Sequence, residues 1–353
     1  MSSKAIKIVS LPGDGIGPEV CREALRVLER AIARAGRSLE VVEMPIGGVA
    51  LDAGDEAFPE RTRSAVLKAD AVLLGAVGLP KYDGQPGNRR PEKGLLDLRK
   101  ALGVYANLRP VRAVPALASF SPLKAELLDG VDLIVVRELL GDVYFGEPRG
   151  IEGDRAYNTM VYTKPEVRRV AKLAFELARK RKNHVYSIDK ANVLEVSQLW
   201  RATVNEVHKE SYSDVKLEHQ YVDSAAMDLV KNPKKFDVIV TGNLFGDILT
   251  DEAAVLAGSI GLLPSASLGD GPGLFEPIHG SAPDIAGKGI ANPLGAIGSA
   301  ASLLDAIGLP EQARAIEKAI DQVLQAGHRT KDLGGNVSTD QMGSHVCKAL
   351  ESL

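Results

Sequence analysis

Residues 236–252 read FDVIVTGNLFGDILTDE, and they form one strand, turn and helix unit by pattern. The apolar run 236–240 is typical of a buried strand, and a glycine-bracketed turn then leads into a helical pattern. At about 100° per residue, Asp247 and Asp251 lie about 40° apart around the helix axis and one turn apart along it. Two carboxylates with this spacing, just beyond the carboxyl end of a strand, indicate a site for a hard metal ion.

The same alternation of strand and helix patterns recurs along the chain. Further strand-like apolar runs are residues 6–11, 39–44, 71–76, 131–136 and 184–188. Helical patterns such as 18–35 and 164–182 lie between or after them. Alternation of this kind predicts an α/β fold with a largely parallel sheet.

Composition excludes several classes of protein. The chain has 353 residues, 45% of them hydrophobic and 25% charged, which suits a globular protein of two domains. Its two cysteines, Cys21 and Cys347, form no CxxC or CxH pattern, so neither a disulfide framework nor a zinc site is indicated. A net charge of -3 with dispersed basic residues gives no footprint for nucleic acid or membrane. We expect a cytoplasmic protein whose partners are small molecules and copies of itself.

The glycine-rich stretch 11–19, LPGDGIGPE, follows the first predicted strand and opens a helix. A dinucleotide fingerprint requires G-x-G-x-x-G, whereas the third glycine here comes one residue early and precedes a proline. The stretch therefore favours a tight turn with a proline-initiated helix over an ordinary Rossmann motif.

A third carboxylate, Asp223, ends the strand-like run 219–222 and occupies the same place in its unit as Asp247. Three carboxylates with water and substrate oxygens would make an all-oxygen site, which suits Mg²⁺ or Mn²⁺. Taken singly, an aspartate is more often a helix N-cap or a solvated side chain, so the prediction of a metal site depends on the three together.

A lysine, three arginines and a tyrosine are further candidates. Lys190 ends another predicted strand, where an amine can serve as a base, although a surface lysine would also fit. Arg99, Arg109 and Arg137 stand in apolar surroundings and could hold a di- or tricarboxylic acid, or form structural ion pairs. Tyr144 follows Arg137 by seven residues and could relay a proton or simply pack.

Five motifs together carry a resemblance that covers essentially the whole chain. They are GDGIGPE (13–19), NLRP (107–110), YFGEPRG (144–150), DKAN (189–192) and GNLFGD (242–247). In combination the sequence strongly resembles the metal-dependent, decarboxylating β-hydroxyacid dehydrogenases of the isocitrate/isopropylmalate family. The resemblance implies a two-domain α/β fold with a mixed, largely parallel sheet spanning a central cleft. It also implies NAD-dependent oxidative decarboxylation of 3-isopropylmalate in leucine biosynthesis.

The resemblance implies roles for the candidate residues. The substrate's carboxylates and hydroxyl would be bound by Arg99, Arg109, Arg137 and Asp223. The ligands of Mg²⁺ or Mn²⁺ would be Asp223, Asp247 and Asp251. Lys190 would assist removal of the hydroxyl proton, and Tyr144 would protonate the enol carbon after CO₂ leaves. In the family the equivalents of Lys190 and Asp223 reach in from a second subunit, which implies a homodimer with shared sites.

The resemblance also assigns a cofactor site. The residues expected to contact NAD are Ile16, Glu92, Asn192, Val193, Glu276, His279, Gly280, Ser281, Ala282, Asp284, Ile285 and Asn292. Asp284 can accept hydrogen bonds from ribose hydroxyls and would repel a 2′-phosphate, and relatives that use NADP carry Lys-Tyr at 284 and 285. This favours NAD over NADP.

Substrate choice is expected at Leu95 and Leu96. Two leucines offer an apolar pocket for a branched alkyl group, whereas isocitrate-using relatives place polar side chains here. Burying a carboxylate against leucines would cost several kcal/mol, while burying an isopropyl group gains roughly 1.5 to 3 kcal/mol. Plain core packing would also account for the two leucines.

The expected domain division is discontinuous. Residues 1–104 and 257–353 would form the cofactor domain, and 105–256 a central domain for substrate and dimerisation, with an arm at about 141–163. Two other functions remain open at this point: a D-malate or tartrate dehydrogenase of the same family, and a non-catalytic dimeric binding protein on this fold.

Overall fold

The computed structural model describes residues 5–353. The strands are β1 (Ile6–Gly13), β2 (Leu39–Glu43), β3 (Ala71–Ala76), β4 (Val104–Arg112), β5 (Asp132–Glu138), β6 (Gly150–Glu152), β7 (Arg155–Tyr157), β8 (His184–Asp189), β9 (Lys216–Tyr221), β10 (Val238–Thr241), β11 (Pro264–Gly269) and β12 (Gly273–Pro277). The helices are α1 (Gly17–Arg34), α2 (Gly48–Asp52), α3 (Glu60–Val66), α4 (Pro91–Leu102), α5 (Ala125–Leu128), α6 (Lys164–Arg179), α7 (Glu195–Ser211), α8 (Val222–Lys231), α9 (Asn243–Ala254), α10 (Leu294–Ala306), α11 (Pro310–Gln325) and α12 (Thr339–Glu351). The predicted strand and helix patterns are confirmed to within a few residues at each end.

Two compact units make up the described chain. One comprises the described residues up to Val104 together with Ser259–Leu353, and the other is Tyr105–Gly258. In the first unit the strands follow the order β2, β1, β3, β12, β11, and only the β11–β12 pair is antiparallel. In the second unit the order is β4, β5, β10, β8, β9, and only the β4–β5 pair is antiparallel. The predicted mixed, largely parallel sheet is confirmed.

The turn after β1 explains the unusual glycine pattern. Gly15 has a φ of 57°, and a Cβ on it would lie 1.9 Å from the carbonyl oxygen of Ser281. The amide of Ile16 donates to that same oxygen over 2.8 Å. Helix α1 then begins at Gly17 with Pro18 in its first turn. The glycine at 15 thus permits close approach of another loop of the same unit, which a side chain there would prevent.

The core of the second unit fixes the carboxyl ends of its strands. Phe236, Val135, Ile239 and Ile188 are buried and pack together, with Leu249 of α9 packed onto them. Because β5, β10, β8 and β9 are parallel, the residues that follow them share one edge of the sheet. The arm region holds two three-residue strands, β6 and β7, paired only with each other. Over the described residues, no helix is both long and apolar enough to cross a membrane.

Candidate active site

Asp247 is the centre of a group of charged and polar side chains in the second unit, which we call the Asp247 cluster. Its other members are Arg109, Arg137, Tyr144 and Asp251. The Tyr144 hydroxyl donates to Oδ2 of Asp247 over 2.6 Å, and Nη1 of Arg137 donates to Oδ1. Arg109 bridges the two carboxylates, with Nη2 3.7 Å from Oδ1 of Asp247 and Nη1 3.4 Å from Oδ1 of Asp251.

Burial is uneven within the Asp247 cluster. The side chains of Arg137 and Arg109 are 4% and 10% exposed, whereas those of Asp247 and Asp251 are 34% and 67% exposed. Burying a guanidinium costs free energy unless it has an anionic or hydrogen-bonding partner. The two buried arginines are therefore held by their partners, with the more accessible carboxylates of Asp247 and Asp251 beside them. A ligand reaching the cluster meets carboxylate oxygens and guanidinium groups together.

The cluster shifts the titration of two of its own members. Although burial opposes ionisation of Asp247, the charge of Arg137, the hydrogen bond from Tyr144 and the charge of Arg109 together lower the pKa of that carboxyl. Burial, followed by the hydrogen bond to Asp247 and its negative charge, raises the pKa of Tyr144. At neutral pH the pair is therefore a carboxylate and a protonated phenol, which is the state of a proton donor.

Two buried asparagines hold the arginines in place. Oδ1 of Asn107 accepts from Nε of Arg109 over 2.8 Å, and Oδ1 of Asn243 accepts from Nε of Arg137 over 2.9 Å. The hydroxyl of Thr250 accepts from Nη1 of Arg109 over 2.7 Å. Sequence reasoning missed these three residues as parts of the site. The only signals were that Asn107 and Asn243 lie inside two of the five motifs and that Thr250 lies in the stretch 236–252. None of the three residue types has a fixed meaning at such a place without the fold.

Lys190 and Asp223 form a separate pair at the same sheet edge. They follow β8 and β9, and Nζ of Lys190 lies 2.8 Å from Oδ1 of Asp223. The hydrogen bond from Lys190 lowers the pKa of Asp223, whose side chain is 68% exposed. Asn192 and Val193 occupy the turn after Lys190 and are exposed to solvent.

The residues fit a hard divalent cation in their chemistry. Asp247 and Asp251 offer accessible carboxylate oxygens on successive turns of α9, and oxygen is the donor that Mg²⁺ and Mn²⁺ prefer. Within residues 5–353 of one chain, however, no group of three or more acidic, histidine or cysteine side chains is arranged to hold a metal ion. One chain thus supplies the Asp247 and Asp251 pair without Asp223, the ligand that the resemblance takes from a second subunit.

A stripe along α4 in the first unit carries the residues expected to choose the substrate. Leu95 and Leu96 each lie three or four residues from Glu92 and from Arg99, so all four side chains lie towards one side of the helix. Leu95 and Leu96 are partly buried, unlike the fully buried Leu98. They are therefore not ordinary core leucines, and part of their apolar surface is available to a ligand.

Arg99 is paired within its own unit. Its Nη2 lies 2.9 Å from Oε1 of Glu276, and the two side chains are 12% and 11% exposed. Its Nε is buried and has no hydrogen-bond partner. Glu276, expected at the cofactor, thus contacts an arginine expected at the substrate, and the arginine keeps one unsatisfied donor.

The predicted cofactor loop packs against the turn after β1. Besides accepting from Ile16, Ser281 donates its hydroxyl to the carbonyl of Gly78 over 2.6 Å. Ala282 has a φ of 38° and is the first residue of a tight turn. The turn is closed by a hydrogen bond in which the amide of Ile285 donates to the carbonyl of Ala282. Asp284 lies exposed in that turn. The loop presents a carboxylate to solvent from a firmly anchored backbone.

His279 has one ring nitrogen with no hydrogen-bond partner among the described residues. Its Nδ1 lies 2.9 Å from the carbonyl oxygen of Gly280, while its Nε2 is buried without a partner. Burial lowers the pKa of His279, so the ring is neutral at pH 7. A Cβ on Gly280 would meet nothing within 4 Å, so the backbone that follows His279 is open on that side. A neutral ring with one unused nitrogen is chemically suited to a hydrogen bond with an adenine-type ligand.

Asn292 is held mainly by its own unit. Its Nδ2 donates to Asp332 over 3.0 Å, and its Oδ1 accepts from the amide of Leu294 at the start of α10. Both ends of the side chain thus have protein partners. Contact with a cofactor through this residue stays a prediction.

Comparison with known proteins agrees with this geometry. A family model described as isocitrate/isopropylmalate dehydrogenase matches residues 7–346. The chain belongs to the isocitrate/isopropylmalate dehydrogenase family. It is therefore an oxidoreductase, as expected from the five motifs.

Individual members of the family match over nearly their whole length. A 3-isopropylmalate dehydrogenase of Salinibacter ruber is 56% identical, over 98% of this chain and 95% of the relative. One from Wolinella succinogenes is 53% identical, with 97% of each chain covered. Among solved structures, an isocitrate dehydrogenase from Methylococcus capsulatus gives a TM-score of 0.86 at 33% identity, covering 98% of this chain and 99% of the other. A β-decarboxylating dehydrogenase from Thermococcus kodakarensis gives 0.83 at 38% identity, covering 98% and 96%.

Proposed function

We propose that the chain catalyses NAD-dependent oxidative decarboxylation of (2R,3S)-3-isopropylmalate to 4-methyl-2-oxopentanoate in leucine biosynthesis, a cytoplasmic role. The observation that carries the proposal is the 2.6 Å hydrogen bond from Tyr144 to Asp247, beside Arg109 and Arg137. It joins a proton donor, a carboxylate and two cations at one point, as decarboxylation of a bound hydroxy dicarboxylic acid requires. Relatives that share more than half of this sequence bear the name of this activity.

Substrate preference for a branched alkyl group is supported by the α4 stripe. Leu95 and Leu96 keep partly accessible apolar surface one helical turn before Arg99. An alkyl branch gains free energy by covering such surface, whereas the third carboxylate of isocitrate would lose hydration without a compensating donor there. This favours isopropylmalate over isocitrate and over the unbranched D-malate.

The chemistry divides between the bound groups and the protein. When bound, the nicotinamide would supply a hydride acceptor for the hydroxyl-bearing carbon, and the divalent cation would supply positive charge to stabilise the neighbouring oxygen. Arg109 and Arg137 hold substrate carboxylate in a fixed orientation through their buried guanidinium groups. Tyr144 protonates the carbon that CO₂ has left, and its raised pKa keeps that proton available at neutral pH.

Lys190 takes the other proton in this scheme. In its neutral form the amine would accept the hydroxyl proton of the substrate, and Asp223, 2.8 Å away, would orient it. In the proposed dimer the partner subunit's Lys190 and the partner subunit's Asp223 complete each site. Asp247 and Asp251 of one chain would hold the cation together with the partner subunit's Asp223.

A homodimer is supported by the exposed apolar side chains of α8 and α9. Met227 of α8 and Ile248 of α9 are 60% and 58% exposed, and Val230 of α8 and Val255, which directly follows α9, are each 44% exposed. Large exposed apolar side chains on neighbouring helices are what a protein interface would cover. Ile151 of the arm, 82% exposed on an isolated two-stranded sheet, adds a second apolar element that a partner would cover.

NAD as cofactor is supported by the exposed carboxylate of Asp284 and the orphaned Nε2 of His279. The carboxylate of Asp284 would accept hydrogen bonds from the ribose hydroxyls of NAD and would repel the 2′-phosphate of NADP.

The proposal is tested by identifying the products. Purified protein supplied with NAD⁺, Mn²⁺ and 3-isopropylmalate should form NADH, CO₂ and 4-methyl-2-oxopentanoate in equal amounts. NADH without CO₂, or no NADH, would refute it.

A further inference from the structure

Helix α9, which carries Asp247 and Asp251, does not cap its own amino terminus. Its N-cap residue is Gly242, which has no side chain to accept from the first amides. The amide of Asn243 instead donates to the Tyr162 hydroxyl over 2.8 Å, and the amide of Leu244 donates to Oδ2 of Asp142 over 3.2 Å. Two residues distant in sequence therefore satisfy amide groups that a helix leaves open.

Asp142 is also the first residue of the short 3₁₀ turn Asp142–Tyr144. Its backbone carbonyl accepts from the amides of Phe145 and Gly146 over 3.2 and 2.9 Å, and its Oδ1 accepts from the amide of Val143 over 2.7 Å. The backbone of Asp142 thus shapes the turn that presents Tyr144, while Oδ2 of the same residue reaches α9.

The backbone of Asp142 is strained. Its φ is 72°, in the left-handed region that favours glycine, and the residue is 1% exposed. A strained non-glycine residue persists where its side chain makes interactions that glycine cannot make. The interactions on view here are the two amides of Val143 and Leu244 and the Tyr162 hydroxyl, 3.4 Å from Oδ2.

We propose that Asp142 is a positioning residue that fastens the Tyr144 turn to the amino terminus of α9, and so sets the Tyr144 hydroxyl against Asp247. The inference rests on the proposed function, in which Tyr144 is the proton donor. The carboxylate of Asp142 links the turn that holds Tyr144 to α9, the helix that holds Asp247. Losing the link should misplace the acid without removing any group that binds substrate.

The primary test is D142G, because glycine adopts this backbone conformation freely and the variant should fold. We expect kcat to fall about 10- to 100-fold, with KM for 3-isopropylmalate within about threefold of wild type. A rapid-mixing experiment on D142G should show a first-turnover burst of NADH, because hydride transfer precedes the slowed step that Tyr144 serves. D142N tolerates the same backbone and keeps one acceptor oxygen, so it should recover part of kcat.

A matched control is N183G. Asn183 is the other described asparagine or aspartate with a positive φ, 60°, and it lies before β8 at the opposite end of the strand from Lys190. Glycine there relieves the same backbone strain and should leave kcat unchanged. An equal loss in N183G and D142G, a wild-type kcat in D142G, or loss of the burst together with steady-state turnover would each overturn the proposal.

A second readout does not depend on activity. Amide hydrogen exchange at Leu244 should accelerate about fivefold or more in D142G, as expected for a lost cap, and stay unchanged in N183G. Unchanged exchange in D142G would overturn the proposed link. If the wild-type protein fails to oxidise 3-isopropylmalate, the proposed function fails, while the exchange experiment still decides whether Asp142 caps α9.

Discussion

The Tyr144 hydroxyl donates to Oδ2 of Asp247 over 2.6 Å, while the other oxygen of that carboxylate faces Arg137 and Arg109. One carboxylate therefore orients the proposed acid on one side and is neutralised by the arginines on the other. The arrangement lowers the pKa of Asp247 and raises that of Tyr144, so the two groups stay in opposite protonation states over a wide range of pH.

Tyr144→Phe should lower kcat about 100-fold or more, because it removes the proton donor and keeps the ring. The ring lies with its centroid 5.5 Å from the Arg137 guanidinium carbon, a contact that phenylalanine preserves, so KM for 3-isopropylmalate should change little. Tyr212→Phe is the control, since Tyr212 also hydrogen-bonds a carboxylate, Glu176, and stacks on Phe175 outside the site. Steady-state kinetics that show equal kcat values for the two variants would remove Tyr144 as the acid.

Mixing Lys190→Ala with Tyr144→Phe should restore activity that neither variant has alone. If each site takes Tyr144 from one chain and Lys190 from the other, a mixed dimer has one intact site and one doubly defective site. With random assortment, half of the dimers are mixed, so about a quarter of wild-type turnover should return. The measurement is the rate of NADH formation after the two chains are co-expressed or refolded together. Turnover equal to the average of the separate variants would place both residues in a site within one chain.

Asp284→Lys combined with Ile285→Tyr should move preference from NAD⁺ towards NADP⁺. The change replaces the exposed carboxylate of Asp284, which would repel a 2′-phosphate, with a cation that attracts it, and places a hydroxyl-bearing ring at the half-buried position 285. We expect the ratio of kcat/KM for NADP⁺ over NAD⁺ to rise at least about tenfold. Asp270→Lys, at an exposed position of the same unit, makes the same change of charge and should leave the ratio unaltered. An equal shift in both variants would refute the role of the 284–285 turn.

His219 should make the protein less stable in acid. Burial, together with the charge of Arg201, lowers the pKa of His219 from 6.5 to about 4, and its buried Nδ1 has no partner to receive a proton. Because the unfolded chain takes up the proton first, the free energy of unfolding should fall as pH decreases from 6.5 towards 4. Below about pH 4 His219 is protonated in both the folded and the unfolded chain, so its effect on the free energy of unfolding no longer changes with pH.

The variant that tests this is His219→Gln, followed by urea denaturation at about pH 7.5 and about pH 5. It should lose less stability between the two pH values than the wild-type protein does. Parallel losses would show that His219 titrates normally in the folded state.

Much of the fold followed from local pattern. The run 71–76 coincides with β3, whose six residues are all buried, and 164–182 covers α6, which begins at a Thr163 and Glu166 capping box. These elements obey hydrophobic periodicity and capping rules, which depend only on near neighbours in sequence.

The supports of the site could not be predicted in the same way. Asn107 reaches Arg109 on its own strand, but Asn243 reaches Arg137 from another element, over 106 residues of sequence. The strained backbone of Asp142 and its link to Leu244 likewise depend on tertiary packing. The residue types of a site are visible in a sequence, whereas the hydrogen bonds that aim them become visible only when the elements are assembled.

The most direct test of the proposed function is a comparison of kcat/KM for 3-isopropylmalate, D-malate and isocitrate with NAD⁺ and Mn²⁺. Partly exposed Leu95 and Leu96 predict that 3-isopropylmalate is favoured by at least about tenfold over both others. A higher kcat/KM for D-malate or isocitrate than for 3-isopropylmalate would contradict the account.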